Sequence, residues 1–501
     1  MNFHRESRLE QYDVIVIGAG AGGLTAASLL AKLGRSVLVI ERHDRPGGYM
    51  HGFSRRGWRF DSGVHAVGGC ASTGPDYRRI LALLVEHLGL SSKVTFLPLD
   101  PIAHVFFPGL EIALPQGMAR FESAISEYFP GQAEKLRAFL ALTEKLADET
   151  SHSAAGHAQN PVLLHQYRHA TLGEVLDHYF DDEALKAVLG ALWPYLGLPP
   201  RQLSFLYWAL MLVGYICDGA GYCRGSFQTL ADALAESIQS MGGEILYRMG
   251  VRRILTEQGC AVGVATDTGQ EIRAPVVISN VDLFQTFQQM LPADQVNARF
   301  LKRIRRLQPS VSAFVVYLAV DRNRIDGKWH ESFHFPHFDH DNHFQRTKAG
   351  EVDWFSITIP THTDPSLAPG QHLVMLTTLA HHHHNPSWRT AKQTYCDRLL
   401  ALAEDRLPGL SDHLLLVESG TPRTLERYTL NHNGSAYGWA PTPQQIGPGR
   451  PGSKTPVDGL YLAGHWSAPG GGVYGAVLSG VMAAQAIAEI PDQDSLWQRL
   501  S

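Results

Sequence analysis

The sequence predicts an α/β fold in which a parallel, doubly wound lobe is interrupted by an inserted α+β lobe. Three observations predict it. Tyr12 to Glu41 (YDVIVIGAGAGGLTAASLLAKLGRSVLVIE) reads as strand, glycine turn, helix and strand. A second glycine-rich turn lies near the other end, in Val457 to Ile487 (VDGLYLAGHWSAPGGGVYGAVLSGVMAAQAI), again after a strand and before a helix. The 501 residues also exceed one ordinary core, so two intimately connected lobes are expected.

The first turn carries the most chemistry. Val14 to Ile17 is a β-branched run of the kind buried in a parallel sheet. Gly18, Gly20 and Gly23 then spell G-x-G-x-x-G, with Ala21 and Gly22 opening the helix. Such glycines give a tight turn, close backbone approach to a pyrophosphate and close helix-on-strand packing, and the helix start aims its N–H groups at the phosphates. Glu41 ends the second strand, placed to accept hydrogen bonds from both ribose hydroxyls of an adenosine. Its charge also opposes a 2′-phosphate, so the ligand is FAD or NAD. Arg42 and the stretch through Gly47, Gly48, Tyr49 and Met50, followed by Gly57 and Phe60-Asp61-Ser62-Gly63, extend the site beyond an NAD turn. These residues resemble the second phosphate-contacting stretch of the glutathione-reductase-like and amine-oxidase-like flavoproteins. The resemblance implies FAD on a Rossmann-type domain.

Bulk properties exclude several classes. Hydrophobic content of 44% and charged content of 18% describe a globular protein rather than a disordered one. A net charge of −5 leaves no basic footprint for nucleic acid. The five cysteines are odd in number and scattered, which fits reduced thiols in the cytoplasm. Residues 1 to 11 are polar and mixed in charge, without the apolar core of a secretory signal.

After Gly63 the chain leaves this lobe. Tyr77 to Leu88 reads as a helix, Val94 to Phe107 as strand–turn–strand, and Pro115 to Tyr128 and Gln132 to Glu149 as helices. Residues 151 to 170 read as loop, and two helices follow over Leu172 to Tyr179 and Asp182 to Leu192. Phe205 to Cys217 is apolar but for Gly214 and too short to cross a bilayer. It reads either as a buried core helix or as an apolar wall of a lipid tunnel that dips into a membrane face. A helix over Gly225 to Ser240, a strand Glu244 to Tyr247, three short strands from Val251 to Arg273 and a buried strand Val276 to Asn280 return the chain to the first lobe. Val311 to Val320 is a strand that opens a second excursion. There His334, His337, His340 and His343 fall three apart, and His381 to His384 form a run. Pro336 and the nearby aspartates argue against a helix, so these read as exposed loop histidines and no metal site is assigned. The expected division is residues 1–75, 225–300 and 435–501 for the FAD-binding domain, and 76–224 with 301–434 for a substrate-binding cap.

In the C-terminal block Gly459 to Ala463 is a strand, Gly464 a close-approach glycine, and Gly472 and Val473 a second helix start. Its N-terminal dipole faces an electron-poor group, which in flavoproteins is the N1–C2=O edge of the ring. At this point Tyr12 to Gly63, Gly225 to Asn280 and Thr421 to Ala488 together resemble the phytoene desaturase, carotenoid isomerase and retinol saturase family. That resemblance is specific over the nucleotide lobe and weak over the cap. Phe60-Asp61-Ser62-Gly63-Val64-His65 is more like retinol saturases than carotene desaturases. Arg224-Gly225-Ser226 replaces the commoner Gly-Gly, and His465 stands where many flavoproteins carry an aspartate to the ribityl chain. In the superfamily a backbone group near Val251 meets the adenine.

The resemblance implies an enzyme that desaturates, saturates or isomerises long lipophilic polyenes or isoprenoids, with flavin as the hydride relay. Specificity for such substrates comes from tunnel shape. His65, with an ordinary pKa of ~6.5, is the candidate for a proton step, and Tyr474 is a second. Two alternatives stay open: a flavoprotein acting on unsaturated fatty acyl chains, and a flavin amine oxidase with Trp466 and Tyr474 flanking the ring. A cytoplasmic location with peripheral membrane contact is expected.

Overall fold

The computed structural model describes residues 6–157, 160–326 and 328–501, so the first five residues of the polar N-terminal stretch lie outside it. Strands β1 (Val14–Ile17), β2 (Val37–Glu41), β3 (Glu244–Tyr247), β4 (Val276–Ser279) and β5 (Leu460–Leu462) form one parallel sheet in the order β5-β4-β1-β2-β3. Every residue of β1 is buried, as its unbroken apolar run requires of a strand covered on both faces. Ile17 of β1 pairs with Ile40 of β2, which sets the end of the glycine turn beside Glu41.

Two helices cover the site end of this sheet, α1 (Ala21–Lys32) and α2 (Gly472–Ala488). They touch backbone to backbone. A Cβ on Gly22 would lie 2.4 Å from the Gly464 nitrogen and 2.8 Å from the Ala476 carbonyl oxygen, and one on Gly480 would lie 2.4 Å from the Gly22 oxygen. Gly23 has the packing role the motif assigns it, since its Cβ would sit 2.3 Å from the Gly18 oxygen.

The cap is built on a seven-stranded sheet whose order is Leu414–Gly420, Ser312–Asp321, Gln371–Ala380, Phe355–Thr358, Glu331–His334, Ala103–Phe107 and Leu110–Leu114. Strands from the 76–224 and 301–434 stretches thus share one sheet, joined by the parallel pair Ser332 with His104. The three short strands between Val251 and Arg273 form a separate antiparallel sheet.

Four expectations are corrected. The strands Phe96–Leu99 and Ala103–Phe107 do not pair with each other; the first takes Ala220–Cys223 and the second Leu110–Leu114, a strand the sequence reading passed over. The 151–170 loop is partly helical, because Ala133–Ala154 runs on and Val162–Tyr167 follows, while residues 158 and 159 lie outside the described residues. The histidine-rich stretch contains a helix, His340–Lys348. Asp339 does not break it but starts it, its side chain accepting the Asn342 N–H at 2.9 Å as an N-cap. His334, His340 and His343 are consequently buried, and so is His382, paired with Glu426 at 2.7 Å.

Among the described residues no single helix is long and apolar enough to cross a membrane. The Phe205–Ile216 helix is core: Phe205, Trp208, Leu212 and Ile216 are all buried.

The α1–α2 contact generates a stability prediction. Gly22→Ala should lower unfolding free energy by about 1–3 kcal/mol or more, because the neighbours that must yield are backbone atoms. Gly131→Ala, which meets nothing within 4 Å, is the control. Urea unfolding of the two variants, with Gly22→Ala as stable as the control, would show that the helices can part at little cost.

Candidate active site

A continuous cavity of about 340 Å³ reaches from the carboxyl ends of the parallel sheet to the inner face of the cap sheet. Ile17, Ile40, Asn280 and Gly464, at or just past the ends of β1, β2, β4 and β5, line it. Ligands of open parallel sheets bind at this edge.

Both helices open onto it. Gly18, Gly20, Ala21 and Gly22 line one side, and Gly472 and Val473 another. The N-caps are Gly20 and Gly471, and neither helix has a side-chain cap. The first-turn N–H groups of both are therefore left for a ligand. Glu41 is held at the rim by two backbone donors, Ala19 N–H to Oε2 and His43 N–H to Oε1, each at 2.7 Å. Each carboxylate oxygen keeps a lone pair for a ribose hydroxyl. Arg42, Gly47, Gly48, Tyr49, Met50 and Val251 also line the cavity. The Arg42 guanidinium donates to the Arg427 carbonyl at 3.1 Å, and the Tyr49 hydroxyl to the Ser435 carbonyl at 2.9 Å.

The cap supplies the opposite wall. Ala313 and Val315 on one strand, and Met375, Thr377 and Leu379 on the next, alternate into the cavity with the two-residue period of a sheet face. Register aligns Val315, Thr377, Ser356 and Phe333 in one row across four strands, and all four line the cavity. No residue of 203–217 does so. The Phe205–Ile216 helix stands one layer back, its Tyr215 ring 5.6 Å from the cavity-lining Tyr195.

His65 lines the cavity at the end of a turn tied from three sides. Asp61 accepts from the Tyr222 hydroxyl (2.7 Å) and the Phe227 N–H (3.0 Å), and the Tyr317 hydroxyl of the cap sheet donates to the Ser62 carbonyl (2.6 Å). The imidazole Nε2 lies 2.9 Å from Oε2 of Glu331, and Nδ1 lies 3.1 Å from the Gly63 carbonyl oxygen. Burial works against its charged form, but the Glu331 carboxylate outweighs it and holds the His65 pKa above the ordinary histidine value.

Tyr474 does not reach the cavity. One position past Val473 on the helix, its ring packs on Gly69, where a Cβ would lie 2.6 Å from it. Trp466 also turns away, buried against Trp439 with its N–H on Asn431 at 2.7 Å. His465 lines the cavity and contacts Asn431 at 3.2 Å; burial pushes its pKa to about 3, so it is neutral.

Three contributors escaped the sequence reading. Asn280 donates to the Gly18 carbonyl at 3.2 Å and so pins the glycine turn; its place at the end of a parallel strand was the available signal. Glu331 and Tyr195 carried none, because tertiary packing alone brings them to His65. The cluster of half-buried His337 with buried His343 and Asp353 places ligating atoms within 4.8 Å of one another. The two rings lie parallel, with centroids 3.8 Å apart, so their in-plane lone pairs do not converge, and Arg346 already occupies the other Asp353 oxygen.

Two uncapped helix starts that donate and a carboxylate that accepts from a ribose, all on one cavity, are the set of partners that FAD requires. Fold and site together define a two-lobed, dinucleotide-dependent flavoprotein.

Residues 21–488 match the family model described as flavin containing amine oxidoreductase, and the chain belongs to that family. Its cofactor is FAD. Among curated proteins it is 30% identical to prolycopene isomerase 1, chloroplastic, of an Oncidium hybrid cultivar, over 96% of this chain and 84% of that one. It is 25% identical to all-trans-retinol 13,14-reductase of Danio rerio, over 91% and 82%. Among solved structures, an oxidoreductase from Methanosarcina mazei superposes with a TM-score of 0.66 at 21% identity, covering 95% of this chain and 99% of that one. A putrescine oxidase bound to putrescine superposes with a TM-score of 0.66 at 18% identity, covering 96% and 99%. The two structural likenesses show the fold.

The rim geometry predicts that Glu41→Ala weakens FAD affinity roughly 10–100-fold, the worth of hydrogen bonds to a charged acceptor. The fold should survive, since Glu41 is not in the core. Flavin content after dialysis, read beside the melting curve, checks this; full retention would remove Glu41 from the ribose site.

Proposed function

We propose that this protein acts with FAD on carbon–carbon double bonds of a long lipophilic polyene or isoprenoid, carotenoid- or retinoid-like, by desaturation, saturation or isomerisation. One observation carries the reading: a single cavity is lined at one end by the dinucleotide turn and at the other by an apolar sheet face. The relatives support it, since those named above are an isomerase of prolycopene and a reductase of all-trans-retinol. When bound, the flavin supplies hydride exchange.

The chain's own residues bind, orient and exclude water. Val315, Phe333, Met375 and Leu379 offer an extended hydrocarbon dispersion contact without demanding polar partners. Thr377 and Ser356 are the hydroxyls in that row. His65 is the titratable group placed to exchange a proton at the cavity. The two aromatics that an amine oxidase would set beside its ring, Trp466 and Tyr474, face elsewhere, which favours the polyene over an amine.

His65→Gln should leave FAD binding intact and lower turnover of a polyene substrate by roughly 10²–10⁴-fold, the usual worth of general acid–base catalysis. A kcat/KM profile that keeps both its shape and its height in the variant would return His65 to a packing role.

The reading includes collection of the substrate at a membrane face on the cytoplasmic side. Its support is the insolubility of such substrates and the exposure of Tyr428 and Leu430, both of which also line the cavity. Liposome flotation should carry part of the protein upward, reversibly with salt or detergent. Protein that stays wholly at the bottom with every lipid composition would exclude this part of the reading.

A further inference from the structure

We infer that Glu331 is the positioning residue of this site: it engages the buried nitrogen of His65 and leaves Nδ1–H as the proton presented to the cavity. The inference rests on the polyene reading above for its role in turnover, though not for its geometry.

Glu331 begins a strand in the middle of the cap sheet, and its side chain has no exposed surface. Both of its contacts fall on one oxygen. Oε2 accepts from the Thr358 hydroxyl at 2.8 Å and meets His65 Nε2 at 2.9 Å, while Oε1 is buried with no hydrogen-bond partner. A buried carboxylate is stabilised by a cation that faces it, and the group facing Glu331 is His65.

The two ring nitrogens are not equivalent. Nε2 is sealed from solvent, whereas the Nδ1 contact with the Gly63 carbonyl lies at accessible surface. Nδ1 has the Gly63 carbonyl as its hydrogen-bond partner, whereas Nε2 meets the Glu331 carboxylate at ion-pair distance, outside hydrogen-bond geometry.

The other groups around His65 act in the same direction or not at all. Asp61, on the preceding strand, adds a second carboxyl, raised by burial to about 6. His330 places Nε2 2.9 Å from the His65 carbonyl and is pushed by burial to about 3, so it is uncharged. Tyr195, whose ring lies 5.9 Å away, is held well above the ordinary tyrosine value by burial and by Glu331.

The proton step balances without a further reagent. In the direction of saturation the Nδ1–H bond breaks and a C–H bond forms at one alkene carbon, using the π electron pair. The other carbon would take the hydride that bound flavin would supply. His65 is left neutral with its remaining proton on Nε2, the nitrogen that faces Glu331, so only the Nδ1–H contact with the Gly63 carbonyl is given up. Desaturation runs the same bonds in reverse.

The test is a ¹⁵N-histidine NMR titration of the FAD-bound protein, with His65→Gln to assign the signal. In wild type, His65 should titrate above ~6.5 and carry its neutral-state proton on Nε2. Glu331→Gln, nearly the same shape, should lower the proton affinity of His65 at least ~10-fold, and Glu331→Asp should restore part of it. The wild-type spectrum alone can overturn the inference, through a neutral Nδ1–H tautomer or titration at or below the ordinary value. An unchanged affinity in Glu331→Gln would overturn it as well. Polyene turnover separates the two readings. If His65→Gln and Glu331→Gln both leave turnover unchanged, the preceding reading fails even though the pair is seen by NMR. If only Glu331→Gln leaves turnover and the titration unchanged, the role of Glu331 fails alone.

Discussion

The site depends on how closely α1 and α2 approach. Gly22 and Gly480 let one helix backbone rest on the other, and Gly464 completes the contact from the end of β5. Because the helices meet near their N-terminal halves, their first turns open onto the same cavity from two directions. Each start brings unpaired N–H groups and the positive end of a helix dipole. A side chain at the contact would separate the two starts, and a ligand long enough to need both would lose one of them. The glycines therefore serve recognition through packing, although only some of them line the cavity.

The second constraint is that the cap is one sheet made from two distant stretches. Strands from both stretches meet along the parallel pair of Ala103–Phe107 with Glu331–His334. That pairing sets the register that aligns Val315, Thr377, Ser356 and Phe333 across the cavity wall. It also drops Glu331 beside His65, which belongs to the nucleotide side of the molecule. A one-residue slip in the strand would turn Glu331 to the other face and leave His65 without its partner.

This explains which parts of the molecule were legible in the sequence. The glycine turn, Glu41 and the second helix start are short-range features: their function follows from backbone conformation and from residues within one supersecondary unit. The parallel strands were legible for the same reason, as uninterrupted apolar runs. Tyr474 illustrates the limit. It sits one position from Val473, but a step of about 100° around the helix separates facing the cavity from facing Gly69. Asp339 illustrates another, since an aspartate ends one pattern and caps the next, and only the chain that follows distinguishes them. Glu331 was hidden in a histidine-rich stretch whose composition drew attention to metals. Its partner lies far away in sequence, and no local period points to it.

Charge in the cavity is divided in a way that matches the two ligands. At the cofactor end the two helix starts share the wall with Arg42, whose guanidinium donates to the Arg427 carbonyl rather than to a carboxylate. That is a positive surrounding, suited to an anionic dinucleotide. At the substrate end an isolated charge would strip water from itself without compensation, because a hydrocarbon ligand offers none. A carboxylate–imidazolium pair avoids this: its net charge is zero, yet it stores one proton at the surface of an apolar chamber. The unpartnered Oε1 of Glu331 is the cost of that arrangement, offset at Oε2 by the Thr358 hydroxyl and by the ion-pair contact with His65. An enzyme for polyenes needs a dry wall and, in saturation or desaturation, one movable proton, and a neutral pair built into the sheet supplies both.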